Sequence, residues 1–278
     1  MKGEPELTAS EQIGVLADMY TRRAAVYDEL WSPLIRPVGE RLLDHLQLTG
    51  AKWVIDVGTG AGALLPAIQR ASPGAEVIGV DRSEGMLRLC KQKFAGPLAL
   101  MDVQSLGILS EKFDAAVLAF VLFHLPSPKR CLEEVNRVLK SGGKVGAVTW
   151  GPETVPEANL VWDEELKAAG ATTVTLPATD NKGSTNSPAK MKALLEQAGY
   201  VSVKAWAEPL EHQWQPDVHF EYLERSTAQA RLGSLHPGAR EGCLQRIRDR
   251  LLGAGADQFV FRSEVVLATA VKPLGRAT

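Results

Sequence analysis

The chain has 278 residues, 45% hydrophobic and 23% charged, with 31 basic against 33 acidic side chains and a net charge of −2. A chain of this length can bury a sizeable core without disulfides or metals, and this balance excludes wholesale disorder. The near-neutral charge argues against a broad grip on nucleic acid or on an anionic membrane, and the longest apolar run, Ala115 to Phe123, is too short to span a bilayer as a helix. The first dozen residues lack the apolar stretch of a signal peptide. Three distant cysteines, Cys90, Cys131 and Cys243, form neither a disulfide framework nor a thiolate metal site, so no metal and a cytoplasmic location are expected.

Thr8 and Glu11 make a capping box for a first helix, along which Ile13, Leu16, Tyr20, Ala24 and Tyr27 recur at helical spacing. Pro33 and Pro37 punctuate the chain before a second short helix carrying Val38, Leu42 and Leu46. Trp53 to Val57 reads as a strand that ends in a glycine-rich turn, with a helix starting near Gly62. Glu76 to Val80, closed by Asp81, is the next strand; a helix with Met86, Leu89 and Cys90 follows, then a strand from Leu98 to Met101 closed by Asp102. Asp114 to Phe120 is nearly all apolar, as a strand buried on both faces should be. A helix from about Pro128 to Lys140 stops at Ser141-Gly142-Gly143, and Lys144 to Trp150 is a further strand. Asn181 to Pro188 is a turn-rich loop, and Ser187-Pro188 caps a helix that ends at Gly199. Tyr200 to Trp206 and Gln258 to Val271 are the closing strands, and the polar helical block between them reads as a lid inserted at a sheet edge. Strands alternating with helices predict an α/β fold, a doubly wound, mostly parallel sheet of seven strands. The expected organisation is an N-terminal helical cap (1–50), a ligand-binding core (51–150) and a remainder (151–278) with the lid at about 207–257.

The segment Val54-Ile55-Asp56-Val57-Gly58-Thr59-Gly60-Ala61-Gly62 sets three glycines at alternate positions after a strand, where a backbone without Cβ atoms turns tightly and lets a ligand lie against it. Read with Ala63 it also satisfies the relaxed dinucleotide pattern G-x-G-x-x-A, with Asp81 near the spacing of a ribose-binding acid. Three features favour S-adenosylmethionine instead. Asp56, two residues before the first glycine, would repel a pyrophosphate but attract a methionine ammonium. Asp102 adds a second acid at a strand tip beside Asp81, one to take ribose hydroxyls and the other the adenine amino group. No Lys or Arg lies in the loop to ask for a phosphate.

The stretches VIDVGTGAG, VIGVDRSEGML, ALMDVQSL and FDAAVLAFVLFHLPSPKRCLEEVNRVLKSGGKV, in this order between about Trp53 and Trp150, resemble the class I S-adenosylmethionine-dependent methyltransferases. The similarity is greatest to the small-molecule (type 11) group that includes the ubiquinone/menaquinone-biosynthesis enzymes. It covers a little over a third of the chain, and YTRRAAVYDELW is similar to the first helix of that group. The resemblance implies a Rossmann-like fold and S-adenosylmethionine as cofactor. Gly58, Thr59 and Gly60 would then line its methionine part, and Ala119 would present a carbonyl near the ammonium. Asp81 would hold the ribose, with Arg82 and Met86 against the adenine and Asp102 and the Val103 amide at its edge.

Duller roles compete with these. Asp56, Asp81 and Asp102 would each serve as loop or helix caps. His124, after the fourth strand, is a candidate general base or a packing residue. Of Phe120 and Phe123, one is expected to face the substrate. Tyr20 and Tyr27 share a helix face, either packing with their hydroxyls at the rim or closing over the site, Tyr20 toward cofactor and Tyr27 toward substrate. His212, Trp214 and His219 lack a third metal ligand and read as surface residues, with a lid-facing substrate contact as the alternative, and Arg246, Arg248 and Arg250 with Asp249 as a solvated face. The expected activity is methyl transfer to O, N or C of a small, hydrophobic molecule, with no nucleic-acid or membrane partner and with the oligomeric state open. Alternatives are a cofactor-binding fold without methyl transfer, regulatory or repurposed, an RNA or protein methyltransferase, and, least of all, a nicotinamide dehydrogenase.

Overall fold

The computed structural model describes residues 8–172 and 181–275. Its core is one seven-stranded sheet in the order β3-β2-β1-β4-β5-β7-β6. The strands are β1 (Trp53–Val57), β2 (Glu76–Asp81), β3 (Leu98–Leu100), β4 (Phe113–Ala119), β5 (Leu139–Thr154), β6 (Val201–Gln213) and β7 (Val260–Val271). The first five pair in parallel, and β7 runs antiparallel between β5 and β6. β1 and β4 are buried almost throughout, which their unbroken apolar runs require when helices cover both faces. The connections carry α3 (Leu65–Ala71), α4 (Glu84–Lys93), α5 (Pro128–Val138), α6 (Ala158–Ala168), α7 (Lys182–Thr185) and α8 (Pro188–Gln197). Two apolar clusters pack on the two faces, one centred on Leu42, Leu65, Ile68 and Val148, the other on Ile55, Phe113, Leu132 and Leu139. No helix among the described residues is long and apolar enough to cross a membrane.

The chain before β1 is helical almost without a break. The capping box at Thr8 and Glu11 starts α1 (Ala9–Val26), a π-helical turn spans Tyr27–Trp31, and α2 (Ser32–Leu46) follows at once. Pro33 and Pro37 therefore do not separate two helices. Pro33 lies where the π turn passes into α2, and Pro37 lies inside the helix. The wider π turn holds Tyr27 and Trp31, both of which line the site described below.

Several boundaries differ from the sequence expectation. α3 begins at Leu65, not near Gly62, because Gly62 has a φ of +81°, outside the helical region, and its missing Cβ faces Cys90 Sγ at 2.5 Å. α5 ends at Val138 because Leu139 already pairs with Phe113, so β5 starts five residues early and runs on to Thr154. β6 continues to Gln213 because β7 offers a partner along its whole length, and the helices between these two strands are α9 (Pro216–Arg225), α10 (Gln229–Gly233) and α11 (Pro237–Leu251). Part of the turn-rich loop at 181–188 folds as α7. α11 is not simply a solvated face: Arg246 and Arg250 both bind Glu165 of α6, at 2.7 and 2.9 Å, and the Arg248 guanidinium lies 4.4 Å above the Phe220 ring.

Candidate active site

The glycine turn sits where β1 ends, beside the tips of β2 and β4. Gly58 has a φ of +76°, and a Cβ there would lie 2.7 Å from Val121, so only glycine fits. Gly60, with a φ of +55°, has nothing within 4 Å of where its Cβ would point, which leaves its backbone open to the cleft. Asp81 at the tip of β2 braces this turn: one carboxylate oxygen accepts the Gly60 amide at 2.8 Å and the other the Ser83 amide at 2.8 Å. Asp102 accepts the Gln104 amide on one oxygen and the Arg82 guanidinium, at 2.7 Å, on the other. Both acids are thus caps, and each carboxylate oxygen still has a lone pair for a further donor.

Asp56 lies below the turn, 2% exposed, and accepts the Thr59 hydroxyl at 2.6 Å. Burial pushes its carboxyl up to about 7, opposed only by that hydrogen bond. Burial also raises Asp81 above the usual carboxylate range, against its backbone hydrogen bonds.

A narrow cleft of about 110 Å³ runs past Gly58, Gly60, Asp81, Arg82, Met86, Asp102, Val103 and Ala119, under Tyr20 of α1. Asp56 and Thr59 lie instead on a side cavity of about 50 Å³ that shares Gly58, Gly60 and Ala119 with the cleft. α1 is held across the cleft by Thr21, whose hydroxyl meets Ser83 Oγ at 2.9 Å and accepts the Gly85 amide at 3.3 Å.

Beyond Tyr20 and Tyr27 opens a second cavity of about 520 Å³. Its walls come from α1, the π turn, the end of β4, β5, α6, the 214–227 segment and β7. Trp31 and Trp214 each stack on Tyr222, with ring centres 5.2 Å apart in both pairs, and Phe120 packs on Trp150 at 4.6 Å. Phe120 takes a left-handed φ of 55°, a strained conformation at the strand tip that β5 holds through the Phe120 amide and Val148 carbonyl. Tyr20, Tyr27, Phe120 and His124 line both the cleft and this cavity, and Phe123 lines the cavity alone. Tyr20 is not a rim residue: its hydroxyl is 2.8 Å from His124 Nε2, and burial holds its pKa well above the ordinary value.

Trp214 and His219 are buried, not on the surface, because α9 folds them back against Phe259 and the cavity. His219 Nε2 lies 2.7 Å from Asn159 Oδ1, and desolvation lowers its pKa to about 4, so its ring is neutral. Sequence reasoning also missed Arg23, Trp31, Trp150, Tyr222 and Phe261 as cavity residues. For Arg23 and Trp31 the signal was present, since they stand on the helix faces of Tyr20 and Tyr27. For the others no local pattern marks which side of a strand or helix meets the cavity.

The residues fit a nucleoside sulfonium. The bare Gly60 backbone leaves room, Asp81 and Asp102 keep acceptors at the strand tips, and the buried Asp56 carboxylate suits an ammonium. A glycine turn flanked by carboxylates on parallel strand tips, opening into a separate apolar cavity, defines an enzyme that brings a nucleoside cofactor to a second molecule.

Residues 55–146 match the family model described as a methyltransferase domain. A demethylmenaquinone methyltransferase from Renibacterium salmoninarum is 30% identical over 211 residues, covering 73% of this chain and 81% of that protein. The biotin biosynthesis bifunctional protein BioHC of Cellvibrio japonicus is 32% identical over 54% of this chain, which spans only 30% of that protein's length. In fold alone, the chain resembles the [4+2]-cyclase SpnF, with a TM-score of 0.60 and 18% identity over 99% of this chain and 100% of that one. The chain belongs to the class I S-adenosylmethionine-dependent methyltransferases.

Proposed function

We propose that the protein methylates O, N or C of a flat, largely apolar small molecule held in the aromatic cavity. The observation that carries this reading is the shared wall: Tyr20, Tyr27, Phe120 and His124 face both the cofactor cleft and the larger cavity, so a molecule in one abuts a molecule in the other. The cofactor, when bound, supplies a methyl group already activated on a sulfonium. The protein's task is then mainly to hold the acceptor atom in line, an effect worth up to about 10 kcal/mol.

In this reading Asp56 and the glycine turn hold the methionine end, Asp81 the ribose, and Asp102 with Val103 the adenine edge, with Arg82 and Met86 beside it. Gly58, Thr59, Gly60 and Ala119 shape the turn around the sulfur side. Stacked Trp31, Trp214 and Tyr222 grip a planar acceptor and exclude water. The helices between β6 and β7 act as its lid. An acceptor O–H or N–H gives its proton to the Tyr20 oxygen while the proton of Tyr20 passes to His124 Nε2, so that no phenolate forms in the buried site. General-base help of this kind contributes about 10²–10⁴-fold.

The test is calorimetric titration with S-adenosylmethionine and S-adenosylhomocysteine, followed by incubation of the loaded protein with separated small-molecule, RNA and protein fractions of a cell extract. The reading expects binding of both nucleosides and release of S-adenosylhomocysteine with the small-molecule fraction alone. Absence of binding, or turnover only with RNA or protein, removes it. Binding with no turnover in any fraction favours the cofactor-bound, non-transferring alternative.

A further inference from the structure

Among the described residues, Arg23 is a charge on the cavity wall that no carboxylate compensates. It lies on α1 between Tyr20 and Tyr27, three and four residues away, so the three side chains share one helix face and one cavity wall. It is half-buried, and among the described residues it has no carboxylate partner. The other half-buried arginines all have one: Arg41 binds Glu208, Arg82 binds Asp102, Arg137 binds Glu134, Arg225 binds Glu221 and Arg231 binds Asp163.

Other charged or ionisable groups on the wall among the described residues have partners or are neutral. Lys182 and Glu153 bind each other at 2.7 Å, and His219 is neutral. Among the described residues Arg23 thus stands without a carboxylate on a largely aromatic and aliphatic wall. Partial burial of an unpaired guanidinium is costly, and here desolvation pulls the Arg23 pKa down. An anion entering the cavity relieves that cost. A carboxylate suits it best, since the guanidinium fork meets two carboxylate oxygens at once.

We infer that Arg23 is a specificity-determining residue of the acceptor cavity, and that the acceptor carries a carboxylate on its flat apolar frame. This rests on the reading that the aromatic cavity is the acceptor site. The carboxylate end lies against α1 and the stacked rings fix the plane of the molecule, so Arg23 sets which edge of the acceptor is turned to the shared wall. It acts on binding and orientation, and no bond is made or broken at it.

The probes are 2-naphthoate and its neutral isostere 2-naphthamide, titrated into full-length protein saturated with S-adenosylhomocysteine. Quenching of Trp31, Trp150 and Trp214 fluorescence reports binding. The wild type should prefer the carboxylate by about 10- to 100-fold. Arg23→Gln should abolish the preference by weakening naphthoate alone, with naphthamide and S-adenosylhomocysteine affinities unchanged. Arg23→Lys, which keeps the charge and loses the fork, should restore part of it. Equal affinities in the wild type, a preference that survives Arg23→Gln, or no binding of either probe to protein that binds S-adenosylhomocysteine overturns the inference and leaves the cofactor assignment standing. Failure to bind S-adenosylhomocysteine removes the underlying reading and this inference with it. Unchanged S-adenosylhomocysteine affinity in Arg23→Gln also shows that the variant is folded.

Discussion

The phenol oxygen of Tyr20 and Nε2 of His124 meet at 2.8 Å although 104 residues separate them in the chain. The contact joins the N-terminal helix to the 3-10 turn after β4, at the wall between the cofactor cleft and the aromatic cavity. If the pair moves a proton, Tyr20→Phe and His124→Gln should each lower kcat by about 10²-fold or more. The double variant should be little worse than either, because residues acting as a unit are non-additive. S-Adenosylhomocysteine affinity, measured by calorimetry on the same variants, should change little. Equal losses of affinity and of rate would assign the pair to packing.

Asp81 holds two backbone amides of the cleft at once. Asp81→Ala leaves the Gly60 and Ser83 amides without their acceptor and removes the proposed ribose acceptor too. The expected loss of nucleoside affinity is at least 30-fold, about 2 kcal/mol. Asp81→Asn keeps one acceptor oxygen and should fall between. Calorimetric titration of the two variants checks the order.

Asp56 links stability to pH. Its carboxyl holds its proton up to about pH 7 in the folded chain, against an ordinary value of 3.8. Between these values the folded state binds more protons than the unfolded one, so this contribution is full below the unfolded value and is lost as pH rises through the folded one. The slope cannot exceed about 1.4 kcal/mol per pH unit. Urea melts of the ligand-free protein from pH 5 to 8 should show it, and Asp56→Asn should flatten it. An ammonium beside Asp56 favours the ionised form, so titration with S-adenosylmethionine near pH 6 should release protons. Calorimetry in two buffers of different ionisation enthalpy measures that release.

Gly85 sets how closely α1 approaches α4. A Cβ there would lie 2.6 Å from the Thr21 carbonyl oxygen, a backbone atom that can move only with its helix. Gly85→Ala should cost about 1–3 kcal/mol of stability. Because α1 carries Tyr20 over the cleft, nucleoside affinity should fall as well. Thermal melts and calorimetry on one preparation check both.

Glu165 is the shared anchor of Arg246 and Arg250, with its side chain 12% exposed. Glu165→Ala removes the shared partner of two half-exposed guanidinium groups between α6 and α11 and should destabilise the fold modestly, since water solvates the freed charges. A lowered melting midpoint with unchanged S-adenosylhomocysteine affinity is the expected result, since neither helix lines the cofactor cleft.

The cleft beside the glycine turn was legible in the amino-acid order. Gly58, Gly60, Asp81 and Asp102 stand at the ends of strands whose apolar runs are unmistakable, and a parallel sheet necessarily brings such ends together. Local periodicity likewise located the capping box at Thr8 and the cap at Ser187, because hydrogen bonds between residues three apart depend on nothing distant. The aromatic cavity was not legible. Trp31, Trp150, Trp214, Tyr222 and Phe261 come from four separate stretches and meet only when the π turn, β5, the 214–227 segment and β7 close on one another. His219 and Arg246 look like free surface residues in a polar helical block; the burial of His219 against Asn159 and the pairing of Arg246 with Glu165 are decided by packing across 60 and 81 residues. Short-range chemistry is written in neighbouring residues; which charge lacks a carboxylate among the described residues, as Arg23 does, depends on every element that surrounds it and is settled only by the tertiary fold.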